Sequence, residues 1–475
     1  MSDQETIYAL STAPGRAGVA IIRISGPGVE RTLNEIAGTT PRPRQASLRT
    51  LTHPITREHL DHALVISFPA PSSFTGEHVC EFHIHGGKAV IESVLEALSC
   101  CQGLRLAEPG EFSRRAFLNG KMDLTQIEGL ADLINAQTES QRRQALQQST
   151  GALGILYESW RNTIITGLAY IEAELDFSDE EDVPQSVASQ AYQQIKESNK
   201  SIKEHLQDNH RGEIMRDGFR IVIAGPPNAG KSTLLNVLSQ RQAAIVSEEA
   251  GTTRDAIEVH LNLNGYAVII TDTAGIREAH NKIEQEGIRR AQSYISNANL
   301  VLWCEDIAQV SNSTNNAPSF VKELEHILNQ DSESIAQSKP VTCLVLNKVD
   351  QFSSEDIKTV QQNLQKRDPE DIVENALLIS AKTGFGVNHL IDHISQHVQT
   401  TLGTQDALLI TRARHREHLE ICKESLKSFL NAQELPLELQ VEHLRIAANA
   451  IGRITGRIDV EDILGEIFSS FCIGK

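Results

Sequence analysis

The stretch Gly225-Pro226-Pro227-Asn228-Ala229-Gly230-Lys231-Ser232 decides the reading of the chain, because it fits GxxxxGK[ST] in the setting that gives the pattern meaning. Before it lies an apolar strand-like run, Phe219-Arg220-Ile221-Val222-Ile223-Ala224, and after it Thr233-Leu234-Leu235-Asn236-Val237-Leu238, which reads as a helix. In a strand-turn-helix of this kind the glycines let backbone N–H groups converge on a β-phosphate at a helix N-terminus. Lys231 is placed to reach β- and γ-phosphate oxygens and the Ser232 hydroxyl to ligate Mg²⁺. The competing reading, a glycine turn carrying an exposed lysine, explains neither flank.

Working outward, Ile269-Ile270-Thr271-Asp272-Thr273-Ala274-Gly275 is a strand ending in DxxG. Asp272 there can hold Mg²⁺ through water, and the Gly275 N–H can sense the γ-phosphate. Cys343-Leu344-Val345-Leu346-Asn347-Lys348-Val349-Asp350 runs a strand into NKxD, and Leu378-Ile379-Ser380-Ala381-Lys382 runs another into SAK. A carboxylate at Asp350 accepts hydrogen bonds from guanine N1–H and the 2-amino group, which adenine does not offer, so the expected substrate is GTP. Gly251-Thr252-Thr253-Arg254-Asp255 lies between the P-loop and DxxG, where Thr253 supplies a second hydroxyl for Mg²⁺. Expected GTP contacts are Asn228, Ala229, Gly230, Lys231, Ser232 and Thr233; Ser247, Glu248, Glu249, Ala250, Gly251, Thr252 and Thr253; Asp272, Thr273, Ala274 and Gly275; Asn347, Lys348 and Asp350; Ser380, Ala381 and Lys382. After DxxG, where many GTPases carry a Gln that orients water, stands Ile276, which cannot do so.

The remainder is organised around this centre. A chain of 475 residues implies about three domains, and 40% hydrophobic with 22% charged residues fits folded globular domains. Forty-four basic against 62 acidic residues give a net charge of −18, which excludes a surface coated in nucleic acid and makes any RNA contact local or shared. Only 4% of residues are aromatic, too few for a main base-stacking platform. The seven cysteines show no CxxC pair and read as reduced cytosolic thiols. No basic leader or apolar run of about 18 residues is present, so the expected location is the cytoplasm, without membrane.

The first 120 or so residues mix β-like runs (Val19–Ile24, Ala63–Phe68, Val79–Ile84) with Gly/Pro turns, an α+β texture. Then Leu153, Leu156, Trp160, Ile164, Leu168, Ile171 and Leu175 recur at steps of three and four along one helix, until an acidic break ends at Pro184. Helical patterning returns with Leu419, Leu426, Leu430 and Leu444, Ile451, Ile454. The expected fold class is therefore α/β plus α: residues 1–120 as an α+β domain, 121–214 with 401–475 as one discontinuous helical domain, and an inserted Ras-like P-loop domain over 215–400 with a mostly parallel sheet.

The P-loop with Asn228, GTTRD, DTAGIRE, NKVD, SAKTG, the PGRAGVAIIRISG pattern and the terminal Phe471-Cys472-Ile473-Gly474-Lys475 together resemble the tRNA modification GTPase family MnmE, also called TrmE, over essentially the whole chain. The resemblance implies a K⁺-dependent GTPase whose G domains dimerise across the nucleotides. It assigns K⁺ to Asn228 and to the loop positions Ser247, Glu249 and Thr252. The cation would stand in for an arginine finger, a substitution worth about 10³ to 10⁵ in rate where the finger operates. Glu284 matches the family's water-orienting glutamate, and Arg254 and Arg277 match switch residues. By itself Glu284 reads as a solvated helix charge.

The same resemblance makes the N-terminal domain a tetrahydrofolate site (5,10-methylene or 5-formyl form), lined by Arg23, Glu81, Lys121 and Lys475 and shared across a homodimer. Without it each of these is a surface or strand-end charge. Cys472, beside Gly474 and Lys475, reads either as a nucleophile or as a passive thiol. His83 and His85 share a strand face, a dyad without a third metal ligand; only His85 belongs to the family's HGG pattern. Arg412-Ala413-Arg414-His415-Arg416 reads as a solvated helix start or as a contact for tRNA phosphate.

The leading functional expectation couples GTP hydrolysis to modification of the wobble uridine at C5. The product carries a carboxymethylaminomethyl or aminomethyl group, made in a heterotetramer with the flavoprotein MnmG, which brings FAD and NADH; tRNA is bound mainly through that complex. The alternative is a ribosome-assembly GTPase binding rRNA. It is disfavoured by the acidic balance and by the lack of a basic GxxG element after residue 400.

Overall fold

A computed structural model describes residues 5–176, 185–241, 257–272, 293–312, 340–353, 355–360, 376–403, 408–432, 436–458, 464, 467–468 and 474. The chain separates into two compact units. Unit 1 comprises 1–134, 146–203 and 414–475; unit 2 comprises 135–145 and 204–413.

Unit 1 contains a six-stranded sheet of order β3-β4-β5-β2-β1-β6, from β1 (Thr6–Leu10), β2 (Ala20–Ser25), β3 (Ser47–Thr52), β4 (His59–Phe68), β5 (Val79–Ile84) and β6 (Leu104–Leu106). All pairings are antiparallel except β1 with β6. The period of two in β2 sends Ile22 and Ile24 into a core with Leu33, Ile36, Val65, Phe82 and Leu98, under helices α1 (Val29–Ala37) and α2 (Lys88–Ser99). Burying each such side chain contributes about 2 kcal/mol. Arg23 is thereby turned to the opposite face.

Helices α3 (Glu111–Leu118), α4 (Leu124–Asn135), α5 (Glu139–Ser149), α6 (Ala152–Asp176) and α7 (Gln185–Leu206) follow. The apolar stripe read from the sequence is the buried face of α6: Leu153, Trp160, Ile164 and Ile171 are inside, joined by Tyr157.

In unit 2, α8 (Arg211–Asp217) precedes a second sheet, order β12-β11-β10-β7-β9-β8, built from β7 (Phe219–Ala224), β8 (Ile257–Leu263), β9 (Tyr266–Asp272), β10 (Leu300–Asp306), β11 (Val341–Asn347) and β12 (Leu377–Leu378). Every pairing is parallel except β8 with β9. That exception is a two-residue hairpin through Asn264-Gly265, whose φ values of 52° and 89° match the Asn-Gly turn compatible with strand twist. The buried β7, β10 and β11 alternate side chains into two cores, one on each face. Helices α9 (Lys231–Arg241), α10 (Ile307–Asn312) and α11 (Val387–Leu402) belong to this unit. The N-terminal part of α5 also does: Ser140 N–H and Oγ both donate to the Gly265 carbonyl, at 3.1 and 2.7 Å.

The chain returns to unit 1 with α12 (Ala413–Asn431) and α13 (Leu437–Thr455). Tyr192 of α7 stacks on Phe429 at 4.8 Å and donates to Gln440 Oε1 at 2.7 Å, so three helices share one buried aromatic contact. Among the described residues no helix is long and apolar enough to cross a membrane.

Candidate functional site

The nucleotide candidate forms where β7, β9 and β11 end on one edge of the parallel sheet, as expected for open α/β folds. The loop after β7 holds Asn228 at φ 63°. Lys231, 6% exposed as the first residue of α9, donates from Nζ to the Gly225 and Pro226 carbonyls at 3.0 and 2.8 Å. Ser232 Oγ donates to Asp272 Oδ2 at 2.6 Å, bringing a hydroxyl and a carboxylate together as hard oxygen donors of the kind Mg²⁺ takes. A Cβ on Gly230, φ 91°, would stand 2.3 Å from Asn347 Nδ2, so only glycine admits this approach.

That approach ties the P-loop to the base side. Asn347 Nδ2 donates to the Ala229 carbonyl at 2.8 Å, and its Oδ1 accepts from the Ala381 N–H at 2.9 Å. The NKxD and SAK segments join where Ser380 Oγ donates to Asp350 Oδ1 at 2.6 Å, leaving Asp350 Oδ2 available for a donor edge. Lys348, at φ 67°, pairs with Asp306 at 2.7 Å. Thr233 follows Ser232 in α9 and Lys382 follows Ala381 on the exposed side. The other expected nucleotide and cation positions lie outside the described residues: Ser247, Glu248, Glu249, Ala250, Gly251, Thr252, Thr253, Thr273, Ala274, Gly275 and Glu284.

The second candidate lies on unit 1. Arg23 and Glu81 are direct cross-strand partners on β2 and β5, and Arg23 Nε and Nη2 both donate to Glu81 Oε1, at 3.0 and 2.9 Å. The guanidinium lies 5.2 Å from the Phe74 ring centroid and 5.8 Å from that of Phe112. From the sequence alone each is a separate surface or strand-end charge; the structure joins the two as a pair. Lys121 is exposed, its stem against Gly76, so the loop bearing Phe74 reaches both Arg23 and Lys121.

Behind the pair stands a charged network that sequence reasoning missed. Ser25 donates to Glu77 at 2.6 Å, Arg115 bridges Glu77 (3.1 Å) and Glu111 (2.9 Å), and Arg105 meets Glu111 at 2.7 Å. Burial pushes the Glu111 carboxyl up, but hydrogen bonds from Arg105, the Glu108 N–H and Arg115 outweigh it and hold its pKa down at about 2. Apart from the i,i+4 pair Glu111 and Arg115 on α3, these charges carry no spacing signal.

The C-terminal tail arrives at the same sheet. Ser11 Oγ donates to the Gly474 carbonyl at 3.0 Å. Gly474 has φ 100°, and a Cβ there would stand 2.1 Å from the Leu10 carbonyl oxygen. Leu10 follows Ala9, whose partner across the sheet is Arg23. Cys472 and Lys475, on either side of this contact, lie outside the described residues.

Other expectations resolve more simply. His83 Nε2 lies 3.3 Å from Glu81, His85 Nδ1 lies 2.7 Å from Asp61, and no His, Cys, Asp or Glu group among the described residues is arranged for a metal. The six described cysteines are free thiols, and burial pushes those of Cys304, Cys343 and Cys422 up to about 12. Two residues of the basic run at 412–416 turn inward rather than to solvent. His415 is fully buried on the α12 face of Leu419, Cys422 and Leu426, and Arg414 is paired with Glu128.

With this geometry in place, the comparisons with known proteins agree in one direction. Residues 6–121 match the family model described as the GTP-binding protein TrmE N-terminus, and residues 124–472 match that of the MnmE helical domain. A tRNA modification GTPase MnmE from Parvibaculum lavamentivorans is 48% identical, covering 99% of this chain and 100% of that protein. One from Agrobacterium fabrum is 45% identical, covering 99% of each. The mitochondrial 5-taurinomethyluridine-[tRNA] synthase subunit GTPB3 of Danio rerio is 43% identical, covering 99% of this chain and 93% of that one. Identity at this level over nearly the full length, with both domain models matched, leaves one conclusion: the chain belongs to the MnmE family of tRNA modification GTPases, enzymes that hydrolyse GTP in tRNA modification.

Proposed function

We propose that this chain is a K⁺-dependent GTPase that, together with the flavoprotein MnmG, installs the carboxymethylaminomethyl or aminomethyl group at C5 of the wobble uridine, drawing its one-carbon unit from a tetrahydrofolate. The observation that carries the reading is the joining of two sites in one chain. A guanine-type nucleotide site occupies unit 2, and in unit 1 the tail and the Arg23–Glu81 pair converge on neighbouring strands. The division into 1–120, 121–214 with 401–475, and 215–400 belongs to this proposal, as do the homodimer, the heterotetramer with MnmG and the cytoplasmic location.

In unit 2, Lys231 and the α9 N-terminus hold the β- and γ-phosphates, and Asp350, set by Ser380, reads guanine. Mg²⁺ would be held by Ser232 and Thr253 with Asp272 behind, and K⁺ by Asn228, Ser247, Glu249 and Thr252. At those residues the cations would supply positive charge against the charge that develops on the phosphates. Glu284 orients the attacking water in place of the missing Gln. In unit 1, Arg23 and Glu81 would bind the folate with Lys121 and Lys475, with Cys472 as the candidate nucleophile; FAD and NADH are cofactors of the partner protein. GTP turnover moves the G domains and so gates the base chemistry.

GTP turnover in K⁺ against Na⁺, for wild type and Glu284→Ala, tests the hydrolytic half. A rate at least tenfold higher in K⁺ that Glu284→Ala abolishes is expected, and equal rates in the two salts would sink the cation mechanism. Nucleoside analysis of tRNA from cells lacking the gene tests the other half: wobble uridine modified as before excludes the pathway.

A further inference from the structure

Where the chain re-enters unit 1 it meets a buried charge cluster that neither candidate site uses. Glu128 of α4 is 4% exposed. Its Oε1 accepts from Arg414 Nε at 2.7 Å, and its Oε2 lies 2.9 Å from His415 Nε2. His415 is fully buried, with its ring edge-on to Tyr157 at 5.9 Å between centroids. Arg414 Nη1 also donates to the carbonyls of Ile454 (3.1 Å) and Arg453 (3.4 Å), in the last turn of α13. Arg414 and His415 open α12, just after the return from unit 2, while α4 ends at Asn135, just where the chain first leaves for it. One cluster therefore gathers the start of α12, the end of α13 and the middle of α4.

Buried ions are an expensive way to make a core, since desolvating the charges offsets most of their attraction, and apolar residues of the same volume often serve stability as well or better. What ions add is direction. A guanidinium aimed at two helix-terminal carbonyls and at one carboxylate oxygen fixes where α13 ends. Beyond that end, Leu464 and Phe468 pack on Leu124 and Ile127 of α4, the helix that carries Glu128, and Gly474 then seats against Leu10. The cluster and the tail thus share α4 as a support, wholly within unit 1.

We propose that Glu128, Arg414 and His415 are positioning residues that set the end of α13 and through it the C-terminal tail, so that base modification depends on them while GTP turnover does not. This rests on the function proposed above. The test uses full-length Glu128→Gln, which is nearly isosteric, and a triple variant, Glu128→Leu with Arg414→Leu and His415→Leu, which restores apolar packing without direction. Three quantities are read: amide hydrogen exchange over residues 464–475, GTP turnover, and wobble modification with the flavoprotein and tRNA. Expected in both variants is tail exchange at least tenfold faster and modification at least tenfold slower, with GTP turnover within twofold of wild type. Unchanged tail exchange overturns the proposal, as does a triple variant that modifies tRNA at the wild-type rate, or loss of GTP turnover in step with modification. Faster tail exchange in the variants of a protein whose wild type modifies no tRNA keeps the positioning role and removes the functional reading instead.

Discussion

In unit 2 the nucleotide site is made by short segments that follow strand ends, and its side chains are fixed by contacts among the motifs themselves: Asn347 to Ala229 and Ala381, Ser380 to Asp350, Ser232 to Asp272. In unit 1 the other site is assembled from distant places in the chain. Arg23 and Glu81 meet only because β2 pairs with β5, Phe74 comes from a loop, and Gly474 comes from the far end of the chain. A phosphate is gripped by backbone N–H groups, which demand a fixed spacing and glycines. A folate presents edges and a tail that scattered side chains can meet from any element. The first kind of site constrains the sequence as a pattern; the second constrains it as isolated residues.

The contrast breaks most sharply at Lys231. Lys231→Ala removes the charge proposed to meet the β- and γ-phosphates, and GTP turnover should fall by about 100-fold or more. Folate affinity, measured by fluorescence titration, should be unchanged. A parallel loss of folate binding would mean that the two sites are not separately built. The reciprocal variant, Arg23→Ala, leaves Glu81 without its guanidinium and only His83 beside it, and folate affinity should weaken about tenfold to a hundredfold at constant GTP turnover. Retained affinity would take Arg23 out of the site.

Gly474 sharpens the comparison from the side of the tail. Gly474→Ala puts a methyl group 2.1 Å from the Leu10 carbonyl at a φ of 100°, a conformation that costs an L residue about 1–3 kcal/mol. The tail should leave its seat, with wobble modification about tenfold slower and GTP turnover unaffected. Full modification by this variant would show that the tail acts without being seated on β1.

This difference in construction also explains what the sequence revealed. The P-loop, NKxD and SAK were legible because motif spacing and strand-turn-helix context carry their geometry, and the α6 stripe because a period of 3.6 survives in any amphipathic helix. Glu77, Phe74, Glu111 and Arg115 were not legible, since their meaning lies in tertiary contacts between singly placed residues. The reading of the run at Arg412 to Arg416 as solvated fails at Arg414 and His415 for the same reason. A basic run looks solvated until the countercharge is known, and here that countercharge, Glu128, stands 287 positions from His415. The Asn264-Gly265 hairpin is a different case. It supplies the one antiparallel pairing of a sheet expected to be mostly parallel, and its turn signal, though present, was not used.

The smallest effect concerns the network behind Arg23, and it fixes how rigid the unit 1 site is. Although burial pushes it up, hydrogen bonds from Arg105, the Glu108 N–H and Arg115 hold the Glu111 carboxyl down at about 2 in the folded protein, against an ordinary value of 4.5. Its contribution to stability is therefore fully present above 4.5 and is lost as pH falls through 4.5 toward 2. Glu111 is partly screened, so the full shift overstates the gain, and on the order of 2 kcal/mol at neutral pH is the expected loss in Glu111→Gln. A Trp303→Phe background leaves Trp160 to report unit 1 alone, and urea midpoints can then be followed from pH 7 to pH 3. Wild type should lose stability relative to Glu111→Gln as the pH drops, the two curves converging at the acid end. Curves that stay parallel would show that Arg105 and Arg115 hold the site without drawing on the charge of Glu111. The unit 1 site would then be fixed by shape and hydrogen-bond geometry rather than by a chain of paired ions.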